Sequence, residues 1–339
     1  MQNVDKYWDK IESISIMRVM AMFMIILFHG FYFYADNLWY FGGITIPIWD
    51  KADTFLDIID LPMFVFISGF LFGHLFCFKG KYRDKKRFLY GKAKRLLLPY
   101  FIWGLLPIVI TPSLFTWQGL LTGSGHLWFL LMLFGVFVII APLTSFLLLS
   151  NSNMWAPIFI IISSVGLLFA FHALSTHHFF LCSHAILYYM PFFIIGMYFA
   201  KYQLWKKIGN KQALITILTS LALLGYYVIS WKISSFYIDY IIRLFFGTII
   251  VATTLVLLTQ IKVTNKIKQI ISHFDRLSMG IYIIHVYILQ AVLLINGSKE
   301  FFNTHYNTGP FILFAVSFLG GWGISFLFAK NKYLKWTIG

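Results

Sequence analysis

Ten stretches of this chain are apolar over lengths that can cross a lipid bilayer, and that repetition limits the fold more than any other property of the sequence. They fall at about 14–34, 55–77, 96–111, 127–148, 156–172, 185–200, 212–230, 237–259, 279–296 and 310–329. A hydrocarbon core of ~30 Å asks for about 20 apolar residues per helix, so the expected fold is all-α and polytopic, with about ten transmembrane helices. Composition agrees. With 60% hydrophobic and 12% charged residues and a mean hydropathy of +0.79, the chain lies outside the range of soluble domains.

A net charge of +15 in a soluble protein would suggest a polyanion partner. Here the placement of the charge decides, because 22 of the 27 basic residues gather on one side of the alternating spans. That set runs from Lys6 and Lys10 through the nine cations between Lys79 and Arg95 to Lys330, Lys332 and Lys335. The opposite side holds only Lys51, Lys232 and Lys299, so the positive-inside bias puts both termini in the cytoplasm. The charge therefore reports topology, and no nucleic acid is expected as a partner. The N-terminal run reads as a span rather than a cleavable leader. The whole of residues 1–339 is expected to form a single transmembrane domain without a soluble one. Cys77 and Cys182 fall on opposite sides and are not expected to pair.

Two ionisable residues sit inside the first span, in RVMAMFMIILFH from Arg18 to His29. They are eleven positions apart, which brings them back to within about 20° of one helix face and about 16 Å apart along the axis. Two readings fit this spacing. Arg18 snorkels to the inner headgroups while His29 is a satisfied core histidine, or the shared face lines a polar passage. Other polar groups inside spans point toward the second reading: His126 opening the fourth, Asp239 and Arg243 in the eighth, and Tyr282 with His285 in the ninth. Asp239 and Arg243 are also spaced to pair with each other. Asp36 lies two turns beyond His29, Asp60 falls among the outer acidic residues, and Ser68 with Gly69 reads as a helix-packing pair or a hydroxyl supplier. His172, His177, His178 and His184 cluster near one outer loop but match no metal-binding spacing, so no metal is expected.

The order of several segments resembles acyltransferase family 3, which includes fucose 4-O-acetylase-like proteins and bacterial surface-glycan O-acetyltransferases. The segments are Arg18 and His29 with ten residues between, LPMFVFISGFLF at 61–72, KAKRLLLPYFIW at 92–103, HLWFLLML at 126–133, PFFIIGMYFA at 191–200 and SMGIYIIH at 278–285. The resemblance implies transfer of an acyl group, usually acetyl from acetyl-CoA, to a sugar hydroxyl, in the inner membrane of a bacterium. It implies that Arg18 and His29 are essential to catalysis. The family often carries two arginines three apart before the third span; Lys92 and Arg95 hold those positions here, and lysine lacks the bidentate fork. Some relatives carry an extracellular C-terminal domain. This chain reaches Gly339 without one, which suggests a stand-alone enzyme acting on a lipid-linked or nascent glycan.

The chemistry is consistent with those roles. A sugar hydroxyl is a poor nucleophile near neutral pH, and an imidazole is suited to deprotonate it, directly or by way of an acyl-enzyme. His29 is the first choice for that base. Arg18 is suited to the donor, and Lys92 and Arg95 to its phosphates, because they abut the span at LLLPY. His126, Trp128, Asp36, Asp60, Arg243, Tyr282, His285 and Ser68 are the substrate-binding or supporting candidates. Expected partners are acyl-CoA, a glycan and membrane lipids, with self-association open. A polytopic transporter or a glycan-export subunit is the alternative that composition allows.

Overall fold

The computed structural model describes residues 2–35, 44–110, 117–123, 125–149, 155–174, 180–208, 211–230, 233 and 235–339. Of the described residues 87% are helical, and no strand occurs among them. The helices are α1 (Gln2–Tyr32), α2 (Pro47–Asp57), α3 (Asp60–Lys79), α4 (Lys85–Ile110), α5 (Trp117–Thr122), α6 (Trp128–Leu149) and α7 (Trp155–Ala173). They continue with α8 (Ser183–Lys201), α9 (Leu204–Ile208), α10 (Gln212–Ser230), α11 (Phe236–Leu258), α12 (Asn265–Leu293), α13 (Ser298–Thr304) and α14 (Gly309–Lys330). Helix satisfies every backbone donor and acceptor within the segment, as lipid requires. This is an all-α, multi-pass membrane protein.

Nine segments among the described residues are long and apolar enough to cross a membrane, against the ten read from sequence. The difference is α4. Its apolar part, LLLPYFIWGLLPIVI, spans 15 residues or about 22 Å and contains Pro99 and Pro107, while its first turns are basic. The second apolar stretch also differs from expectation. Its helix breaks at Ile58 and Ile59, so the acidic segment Asp50–Asp57 belongs to a separate short helix, α2.

The chain forms two compact units. The first comprises Met1–Phe64, Leu214–Trp231 and Ile249–Ile338. Its core brings α1, α12 and α14 together: Val19, Met22 and Ile26 pack against Leu277 and Ile281, with Phe23, Phe274, Phe314 and Phe318 around them. Close approach depends on missing side chains. A Cβ on Gly30 of α1 would lie 2.6 Å from the Pro310 carbonyl oxygen of α14, and Gly321 of α14 lies against Ile281 and the His285 backbone of α12. The backbones flanking His29 and His285 are thereby set by contact with α14.

The second unit comprises Val65–Ala213 and Lys232–Thr248, with Gly339. Here α3 and α8 meet at small residues. A Cβ on Gly69 would overlap the Phe193 carbonyl, and one on Gly196 the Phe66 carbonyl. Ser68 beside them is partly exposed, and it makes no hydrogen bond among the described residues. Small residues that let helix backbones touch are the usual source of helix association in lipid, where no hydrophobic force drives it. Gly69→Leu should therefore cost about 1–3 kcal/mol or more, because the obstacle is a backbone carbonyl that cannot swing away. Gly166→Ala in α7, where nothing lies within 4 Å, should be neutral or mildly stabilising. Thermal unfolding of the detergent-solubilised variants compares the two; equal stabilities would contradict the packing account.

Candidate active site

Within the first unit, α1 and α12 carry opposed polar residues at three levels. Glu12 Oε1 accepts from Lys268 Nζ at 2.9 Å. Six residues farther along α1, the Arg18 guanidinium donates to Asp275 Oδ1 at 2.5 Å, and Ser15 Oγ donates to Asp275 Oδ2 at 2.8 Å. At the third level His29 meets His285, their rings 4.9 Å apart and edge-on at 78°. The helices run in the same direction along this seam. The eleven-residue interval in α1 is matched by ten residues in α12, each a rise of about 15–16 Å.

Between the second and third levels the seam is apolar. Met22, Ile26 and Ile281 are fully buried there, so this interface is packed core and not a polar lining. The first span covers Glu12–Tyr32, and His29 sits in the last turn of α1, farther toward the outer end than a midplane position.

Asp275 has no counterpart in the sequence-based candidate set. In HFDRLS it stands beside Arg276 among inner-side charges, where it reads as a solvated neighbour. One signal was available: Asp275 precedes His285 by nearly the interval that separates Arg18 from His29. The Asp275 partnership also redefines Arg18. One of five guanidinium N–H donors is committed, and among the described residues the others meet no partner, so the fork retains capacity for an anion or a polarised carbonyl. Asp275→Asn should lower stability by about 1–3 kcal/mol by stripping the counter-charge from a mostly buried cation. In a double-mutant cycle with Arg18→Gln, the second substitution should cost less than it does alone. Additive losses in unfolding experiments would show the pair to be uncoupled.

The contacts of His29 are few and specific. Nδ1 lies 2.8 Å from the Ile25 carbonyl oxygen and 3.4 Å from Nε2 of His285, while Nε2 of His29 has no hydrogen-bond partner among the described residues. His285 is fully buried, with Nδ1 2.6 Å from the carbonyl oxygen of Tyr282, itself a buried residue. One turn beyond His29, Tyr32 stacks on Phe28 and is acted on by the charges of Asp53 and Asp57 in α2. Asp60 is buried with Oδ1 accepting the Leu61 N–H, a helix-start contact rather than an open carboxylate. Asp36 lies outside the described residues, as do Lys232, His177 and His178.

The second unit holds the basic candidates. Lys81, Tyr82, Asp84, Arg87, Phe88, Gly91, Lys92 and Arg95 line a cavity of about 590 Å³. Phe88, Lys92 and Arg95 recur on one face of α4, and Gly91 leaves the wall open. Lys92 Nζ sits 4.1 Å above the Phe137 ring of α6 and 5.5 Å from that of Phe88, which holds the ammonium in place. Burial pushes the Tyr82 phenol up, and the Arg95 charge opposes that shift. The cavity thus presents four cations and one carboxylate, with a volume in the range of small-molecule sites.

The remaining candidates are spread through the second unit. Arg243 Nε donates to Asp239 Oδ2 at 2.7 Å, the pairing their spacing allows. His126 is buried in a 3₁₀ turn, Gly125–Leu127, and Trp128 faces Tyr189 at 5.8 Å. His172 stacks on Phe236 at 3.8 Å, and among the described residues no His, Cys, Asp or Glu group is arranged to hold a metal ion. Cys182 donates to the Thr122 carbonyl, and burial pushes its thiol up to about 12.

A family profile described as an acyltransferase domain matches residues 11–330, and so includes all the residues of both the histidine pair and the basic cavity. The chain belongs to acyltransferase family 3. Comparison with curated proteins and with solved structures returned no match. Membership of acyltransferase family 3 makes the protein an integral membrane acyltransferase.

Proposed function

We propose that this acyltransferase moves the acyl group of an acyl-CoA, acetyl in the simplest case, onto a hydroxyl of a surface or lipid-linked glycan in a bacterial inner membrane. The observation that carries the reading is His29: a histidine in the last turn of the first span with one ring nitrogen tied to protein and the other without a hydrogen-bond partner among the described residues. A general base needs that arrangement. Nε2 takes the proton of the acceptor hydroxyl as its oxygen attacks the thioester carbonyl. Arg18, about 16 Å from His29 along α1, keeps N–H donors that meet no partner among the described residues, capacity for an anionic part of the donor remote from the reacting carbon. Lys92 and Arg95 hold the phosphates of CoA, with Lys81 and Arg87 adding to the field. Tyr32, Asp53 and Asp57 offer acceptors to neighbouring sugar hydroxyls at the outer end of α1.

Surface glycans from cells producing the wild-type protein, the His29→Ala variant or neither provide the test. Mass spectrometry should find one added acyl group per modified unit with the wild type and none in the other two cultures. Identical glycan masses in all three would remove the glycan acceptor from this reading.

A further inference from the structure

Two backbone carbonyls decide where the hydrogens of the histidine pair lie. A carbonyl oxygen only accepts, so the Nδ1 atom of His29 that faces the Ile25 oxygen carries a hydrogen, and so does the Nδ1 atom of His285 that faces the Tyr282 oxygen. In a neutral His285 ring, Nε2 is then a bare lone pair, and it lies 3.4 Å from His29 Nδ1. A hydrogen on that nitrogen would point at another hydrogen. The His29 Nδ1–H is therefore shared between the Ile25 carbonyl and His285. Support comes from behind the pair as well: Gly30 beside His29 abuts Pro310 of α14, and a Cβ on Gly321 of α14 would lie 3.6 Å from the Cα of His285.

We propose that His285 is a positioning residue for acyl transfer, whose Nε2 joins the Ile25 carbonyl in holding the His29 Nδ1–H and so keeps Nε2 of His29 as the basic lone pair. The inference rests on the assignment of His29 as general base. In the step itself, the acceptor O–H proton passes to His29 Nε2 while the acceptor oxygen forms its bond to the acyl carbon. The carbon–sulfur bond of the thioester breaks, and the proton on Nε2 is delivered to the departing CoA thiolate, which regenerates neutral His29. While His29 is cationic, its Nδ1–H bond to His285 is charge-assisted and stronger than in the resting pair. A side chain in the place of His285 that cannot accept loses that stabilisation and leaves the ring held by the Ile25 carbonyl alone.

The test uses the full chain in lipid nanodiscs, with acetyl-CoA as donor and a defined oligosaccharide that the wild type acetylates. His285→Phe keeps an aromatic ring and removes the lone pair; His285→Gln retains an acceptor oxygen. We expect His285→Phe to lower kcat by about 10–100-fold with both KM values within about twofold of wild type, and His285→Gln to recover much of the loss. Nitrogen-15 spectra of imidazole-labelled protein should show His29 as the Nδ1–H tautomer in the wild type, with the Nδ1 resonance shifted in His285→Phe, where the second acceptor is gone. A wild-type spectrum with the hydrogen on Nε2 of His29 overturns the proposal without any variant, as does His285→Phe turning over at the wild-type rate while His29→Gln is inactive. An active His29→Gln instead overturns the assignment of His29 itself.

Discussion

Substituting glutamine for His29 is expected to lower kcat by about 10²–10⁴-fold, the range that removal of a general base produces. Glutamine fills a similar volume at the end of α1 and offers an amide N–H to the Ile25 carbonyl, so the local packing that Gly30 and α14 impose is retained. It has no basic nitrogen, and the acceptor proton then has nowhere to go. Because the cations of the basic cavity are untouched, the KM for acyl-CoA should stay within about twofold. A fall in kcat without a change in KM marks an interaction made only in the transition state. Steady-state kinetics on the purified variant separate the outcomes. A raised donor KM with kcat preserved would move His29 from chemistry to binding.

Charge reversal at Lys92 and Arg95 together is expected to raise the KM for acyl-CoA by about 10–10³-fold. Hydrogen bonds to charged groups contribute about 1.5–3 kcal/mol each, and solvent screening at the exposed Arg95 reduces that, which sets the lower bound. The neighbouring Lys81 and Arg87 retain part of the field, so binding weakens rather than disappears. Rising salt should weaken donor binding to the wild type much more than to the variant, where the reversed charges offset the field that Lys81 and Arg87 retain. Lys92→Arg should tighten binding by restoring a fork able to hold one phosphate through two hydrogen bonds. An unchanged KM in the doubly reversed protein would place the CoA phosphates elsewhere.

Much of this arrangement is legible from residue spacing alone. Apolar runs give nine of the spans because lipid imposes one length on every helix. Asp239 and Arg243 pair as their four-residue interval allows, and Arg18 and His29 belong to one helix and one seam as their eleven-residue interval implies. What spacing does not reveal is which distant helix completes each group. Asp275 joins Arg18 across 257 positions and His285 joins His29 across 256, and both juxtapositions arise from helix packing that no local pattern encodes. Lys92 is similar, since its ammonium rests on Phe137 of a different helix. The break between α2 and α3 escaped the hydropathy reading because Ile58, Ile59 and Leu61 keep the run apolar through the turn.

Label transfer from radioactive acetyl-CoA by the purified, reconstituted protein tests the central claim most directly. With a glycan acceptor present, the account predicts that label becomes covalently attached to a sugar oxygen and that free CoA appears in equal amount. Label that enters vesicles without becoming attached to any acceptor, or that is released only as acetate whichever glycan is supplied, would contradict it.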